Sequence, residues 1–158
     1  MEQKWINKML DEKYQAGLFS RLVALFYDLM TLAITLLIVG TLTTRWMYGQ
    51  TNAPELNDMV MIREYILEHE FHLFVINWVV LATVAILIQY VFPMFSKQTV
   101  GMKMVGLYLR DENAIEISKV QYVKRELMKL YLFPTLFLSL KKGKRPLYDE
   151  KSKSYLLK

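Results

Sequence analysis

The chain has 158 residues, enough for one compact unit. It is 54% hydrophobic and 22% charged with a mean hydropathy of +0.19, and the two kinds of residue lie in separate blocks, which is the pattern of a membrane protein and not of a soluble domain. The lack of cysteine excludes disulfides, Cys-based metal sites and cysteine nucleophiles, and the net charge of +5 points to an anionic inner leaflet and not to nucleic acid.

Residues 1–15, MEQKWINKMLDEKYQ, set Trp5, Ile6, Met9 and Leu10 on one helical stripe against Lys4, Lys8 and Lys13. This suits either a short helix in the membrane interface, with Trp5 at headgroup level, or a frayed tail. Glu2, Asp11 and Glu12 precede an apolar stretch too long for a signal h-region, and no A-x-A site follows it, so a cleavable signal peptide is not expected.

That stretch, GLFSRLVALFYDLMTLAITLLIVGTL at 17–42, is the element the chain is arranged around. A span needs about 20 mostly apolar residues, and only Arg21 and Asp28 interrupt this one. At about 1.5 Å per residue from Leu18, Asp28 lies roughly 15 Å in, near the middle of a ~30 Å hydrocarbon layer. An ionisable group at that depth costs at least about 2.5 kcal/mol, so Asp28 is expected to face protein or water. It is either a structural buried carboxylate or a proton or cation site. Arg21 reads as a snorkelling anchor near the headgroups. The two are seven apart on one helix face, roughly 10 Å from each other, and no direct bond is expected between them.

Residues 45–70 carry Glu55, Asp58, Glu64, Glu68 and Glu70 against Arg45 and Arg63. Pro54 marks a helix start, and with no breaker before Pro93 a single long helix is predicted to run into a second span at 71–95. That span holds no charge but contains Asn77 and Gln89. Gln89 lies about six residues, or roughly 9 Å, from its inner end and is a candidate partner of Asp28, with Lys124 or Arg125 as counter-charges if a third helix enters the membrane, although a lone Asn or Gln in a span is more often helix–helix glue. Asn77 is too far away. His69 and His72, i and i+3 beside Glu68 and Glu70, permit a metal, although a solvated helix face explains them equally well.

At 102–117, MKMVGLYL and AIEIS read as two short strands of a hairpin around 111–113. Residues 119–141 begin amphipathic, with Val120, Val123, Leu127, Leu130 and Pro134 on one face. The uncharged core at 130–140 is short for a span, which favours a re-entrant or interfacial helix. The loop 43–70 holds two Lys or Arg, the segment 96–129 seven and the tail from 141 another seven. Both termini and the hairpin are therefore expected in the cytoplasm of a cell-membrane protein. Three full spans would place the basic tail outside, against the charge rule, yet a shallow third span stays open.

Three segments together resemble the RDD family of small integral membrane proteins. AGLFSRLVALFYDLM at 16–30 places Arg21 and Asp28 at the family's arginine and first aspartate. TVGMKMVGLYLRDENAIEIS at 99–118 resembles the family's T-x-G-K-x-x-x-G-L segment through Thr99, Gly101, Gly106 and Lys103, the lysine standing one residue late. KRPLYDEKSKSYLL at 144–157 resembles the R-x-x-H-D-x-x-x-x-T ending, with Asp149 at the aspartate, Tyr148 in place of histidine and Ser154 in place of threonine. The apolar runs and charge bias give an α-helical integral membrane protein with two transmembrane helices at about 18–42 and 71–95, and the resemblance implies a small membrane protein whose relatives are linked to solute or cation transport or to partnership with neighbouring membrane proteins.

No Ser-His-Asp set, phosphate loop or paired carboxylates appear, so neither an enzyme nor a cofactor is expected. The leading expectation is an accessory or regulatory partner of another membrane protein. The alternatives are an oligomeric cation, proton or small-solute transporter using Asp28, and a surface protein binding anionic lipid.

Overall fold

The computed structural model describes residues 6, 11, 14–53, 58–140 and 145–158. The stripe of Trp5, Met9 and Leu10 and the helix start at Pro54 lie outside the described residues. The chain divides into two compact units, one of residues 1–31 and 89–158 and one of residues 32–88.

Helix α1, Leu18–Gln50, continues past residue 42 to 33 residues in all. Backbone groups in hydrocarbon must be satisfied within the segment, and an uninterrupted helix does this. Its threonines follow the same rule: the hydroxyls of Thr31, Thr41 and Thr43 donate back to the carbonyls of Tyr27, Leu37 and Val39.

The unit of residues 32–88 carries α2, Met59–His69, started by Asp58, whose carboxylate accepts from the Val60 amide at 2.9 Å. The expected continuous helix is not formed. Glu70 leaves helical geometry at φ −129°, ψ 37°, and α3, Phe71–Ser96, begins after it. The cause is local. The Glu70 carboxylate turns back to accept from Thr51 Oγ1 at 2.5 Å and from the Asn52 backbone and side-chain nitrogens at 3.0 and 2.9 Å. Those bonds satisfy the loop after α1, and the one from Thr51, then that from the Asn52 backbone, hold the carboxyl below its ordinary value. Met47, Ile66 and Leu73 form the apolar core beside this clasp.

In α3 the turn Leu87–Val91 is π-helical. Pro93 lacks an N–H and its ring would clash with the carbonyl four residues back, at Gln89, so a wider turn absorbs the mismatch and the helix continues. It ends at Lys97, left-handed at φ 56°.

The hairpin expected at 102–117 keeps its turn, where the Asp111 amide donates to the Ile115 carbonyl at 3.0 Å, but its arms differ from those expected. Residues Val100–Val105 form a short helix, α4, with Thr99 Oγ1 accepting from the Met102 amide at 3.1 Å at its start and Gly106 at φ 71° at its end. Strand β1, Tyr108–Asp111, then pairs antiparallel with β2, Ser154–Leu157, at the far end of the chain. Glu116 contributes one isolated bridge to Arg110. An apolar alternation such as MKMVGLYL fits a strand until the two capping residues around it are weighed. Helix α5, Lys119–Leu132, tightens into a 3-10 stretch at Phe133–Leu140, consistent with Pro134 there. A last short helix, α6, Leu147–Lys151, leads into β2.

The ladder bears on topology. The Ala16 amide donates to the Leu156 carbonyl and the Lys158 amide to the Tyr14 carbonyl, each at 2.8 Å. Tyr14 and Ala16, strand β1 and strand β2 thus lie together in one unit, and a full crossing by α5 would tear β2 from β1. Cysteines placed at the exposed positions Glu64, Asn113 and Lys151 test this. An impermeant maleimide added outside cells should label position 64 and should leave 113 and 151 untouched until the membrane is opened. Labelling of 151 but not 113 from outside would contradict the ladder.

Candidate functional site

Arg21 sits in the second turn of α1, and its place as a headgroup anchor is not what the structure shows. Its side chain is 6% exposed and reaches Asp149 of α6, with Nη1 2.6 Å from Oδ2. Its Nε donates to the Ala16 carbonyl at 2.9 Å, and Nη1 lies 3.4 Å from the Tyr148 hydroxyl. Arg125 of α5 meets the other Asp149 oxygen, Nε to Oδ1 at 2.7 Å, and extends to Glu126 at 2.7 Å; Lys129 completes the chain of charge at 3.3 Å from Glu126. Asp149 is fully buried, and Arg125 nearly so.

Burial by itself would raise the Asp149 pKa. Arg125 and then Arg21 outweigh it and hold the carboxyl below the usual aspartate value. The same burial, with Asp149 alongside, raises the Tyr148 hydroxyl. Tyr148 therefore cannot exchange protons near neutral pH as a histidine in its place would. Its ring instead lies under the Arg125 guanidinium, 5.5 Å from centroid to Cζ. Ser154, at the threonine position, is buried with Oγ 3.4 Å from the Asp149 carbonyl.

Asp28 sits two turns further along α1 from Arg21. Its Oδ1 accepts from the Gly101 amide at 2.7 Å, near the start of α4. Gly101 itself lies against α1 so closely that a Cβ there would overlap the Ala24 carbonyl. Arg21, Ala24, Asp28, Met102, Arg125, Lys129 and Tyr148 line a cavity of about 30 Å³, room for roughly one water. Beside it Asp149 pairs with Arg21 and Arg125, and Glu126 with Arg125 and Lys129, while Asp28 holds the Gly101 amide. Together these contacts form a lock that ties α4, α5 and α6 to the base of α1, through ion pairs at α5 and α6 and through a backbone amide at α4.

Arg21, Asp28, Thr99, Gly101, Gly106 and Asp149 are thus gathered in one unit, each with a defined part: partner, cap or close contact. Gln89 is not the partner of Asp28; it occupies the π turn of α3. Arg125 serves Asp149 and Glu126 and makes no pair with Asp28. Lys103 is exposed, whereas Met102, at the position where the family has its lysine, lines the cavity. Asn77 is buried in the other unit, its Oδ1 without a hydrogen bond among the described residues. The His69 ring stacks on Tyr65 at 4.6 Å, and Glu70 is committed to Thr51 and Asn52.

Sequence reasoning missed Arg125 as the second partner of Asp149 and Ala24 as the surface on which Gly101 rests. The available signal for Arg125 was its place opposite the apolar face of α5. For Asp28 the geometry sets a test. Asp28→Asn keeps the acceptor oxygen, whereas Asp28→Leu strands the Gly101 amide, so leucine should cost about 1–3 kcal/mol more in detergent unfolding. Equal stability of the two variants would remove Asp28 from the structural account.

The RDD family matches residues 15–149 of the chain. No curated protein and no solved structure matches it.

Proposed function

The chain belongs to the RDD family and is a small membrane protein, and from that premise we propose that it is a non-enzymatic accessory or regulatory partner of another membrane protein. Supporting this reading is the internal pairing of its buried Asp149 and half-buried Asp28 within the chain. Asp149 has both arginines, Asp28 has the Gly101 amide, and the space among them is about the size of one water. Such a lock fixes a shape and leaves the function to the surfaces. In the most apolar window of each long helix only 6% (α1) and 11% (α3) of the residues are buried, which leaves both open to lipid, to another protein or to a second copy. The protein sits in the cell membrane with both termini cytoplasmic.

The second reading, an oligomeric cation, proton or small-solute transporter, draws on Asp28 lining that cavity beside Arg125 and Lys129. The two are separated by experiment. Pull-down from native membranes with mass spectrometry should recover one membrane protein at near-stoichiometric yield, and purified protein in liposomes should move neither sodium nor potassium against an imposed pH gradient. Cation-driven proton flux that disappears in Asp28→Asn would reverse the order of the two readings.

A further inference from the structure

Helix α5 is built inside out. At 100° per residue, Val120, Val123, Leu127, Leu130 and Tyr131 fall within an arc of roughly 100°, and all five face outward, Val120 80%, Leu130 62% and Tyr131 85% exposed. The opposite side carries Tyr122 and Arg125 into the interior, each 1% exposed. A helix on a water-soluble protein places its apolar arc inward and its arginine outward. Here the polarity is inverted, and the inversion is enforced, because Arg125 is the residue that clamps Asp149.

What covers the outward face is indicated by its surroundings within the same unit. It is continuous with the end of the apolar helix α3: Phe92 and Phe95 are exposed there, and Lys119, the first residue of α5, places Nζ 4.4 Å over the Phe95 ring. Phe137 extends the apolar surface into the 3-10 stretch. On the helical wheel Lys119 and Lys124 border the arc on its two sides, the placement that lets ammonium groups reach lipid phosphates while their stems lie on hydrocarbon.

We propose that α5 and the 3-10 stretch after it lie in the membrane interface, with the apolar arc sunk among acyl chains and Lys119 and Lys124 on anionic headgroups. This rests on the membrane reading and assigns the face to lipid, leaving any protein partner to other surfaces. The occupant is a bilayer leaflet of anionic phospholipid.

The cysteine-free chain allows the test in its full length. Single cysteines at Val123, Leu127, Glu112 and Leu37 are labelled with a bimane fluorophore, and the protein is placed in nanodiscs of phosphatidylcholine with or without phosphatidylglycerol. Positions 123 and 127 should be quenched by lipids brominated on the acyl chain, as position 37 within α1 is, and shielded from iodide several-fold relative to position 112. Shielding should be stronger with phosphatidylglycerol, and Lys119→Gln with Lys124→Gln should abolish that difference. Iodide access at 123 and 127 equal to that at 112 would overturn the proposal, as would shielding from both quenchers, the sign of coverage by a second copy. A lipid difference that survives both substitutions would overturn the headgroup contact. Position 37 reports separately on the membrane reading, since its failure to be quenched by brominated lipid would reject that reading instead.

Discussion

Asp149→Leu should cost about 3–5 kcal/mol of stability, the usual cost of leaving a buried charge without its partner, and here two guanidinium groups are left. Thermal unfolding in detergent, followed by far-ultraviolet circular dichroism, measures it. Adding Arg21→Met and Arg125→Met to the same chain should restore most of the loss, because an apolar set of similar volume has no charge to desolvate. Failure of the triple variant to recover would mean that the lock contributes more than mutual neutralisation. The pH dependence has a definite sign. The Asp149 carboxyl titrates below its ordinary 3.8 when folded, so its contribution is complete above that value. As the pH falls below 3.8, the unfolded state takes up a proton first, and the contribution drains away until the folded carboxyl is also protonated. Asp149→Asn should lack this acid limb.

Gly101→Ala is the second large effect, on the order of 3 kcal/mol, since its Cβ would occupy the space of the Ala24 carbonyl oxygen and backbone must move to admit it. The shift would also pull the amide from Asp28. Two other glycines calibrate the result. Gly106, at φ 71° with open space around it, should cost about 1–2 kcal/mol as alanine, through conformation alone. Gly49, helical and with nothing near it, should gain about 0.5–1 kcal/mol. If Gly101→Ala behaves like Gly106→Ala, the close approach to α1 is not a real constraint.

The parts of this fold that were legible in the sequence are those governed by local physics. Two apolar runs of membrane length announce themselves, and a carboxylate at the depth of Asp28 must have company. Its depth gave the need for a partner but not the identity, because Gly101 contributes a backbone amide, which no side-chain pattern records. Asp149 stood out through family resemblance alone, since an acid in a basic tail looks solvated until Arg21 and Arg125 close on it. The break at Glu70 has no glycine or proline to mark it; it follows from a tertiary demand of Thr51 and Asn52. The main partner of β1 was hidden for the same reason. Tyr108–Asp111 is a strand, but its partner lies at Ser154–Leu157, and pairing across that separation leaves no signature in the neighbouring residues.

The Arg21–Asp149 pair also sets an order of events during synthesis. Arg21 leaves the ribosome at the head of the first apolar segment, long before α6 exists, and must enter the membrane with its charge uncompensated. At that stage it can only linger among phosphates, in the snorkelled position that the sequence suggests for it. Sealing of the lock, and with it the seating of α5 and α6 against α1, waits for the acidic residue to be translated and for β2 to find β1 after that. A nascent chain arrested before residue 149 would carry an arginine without its carboxylate.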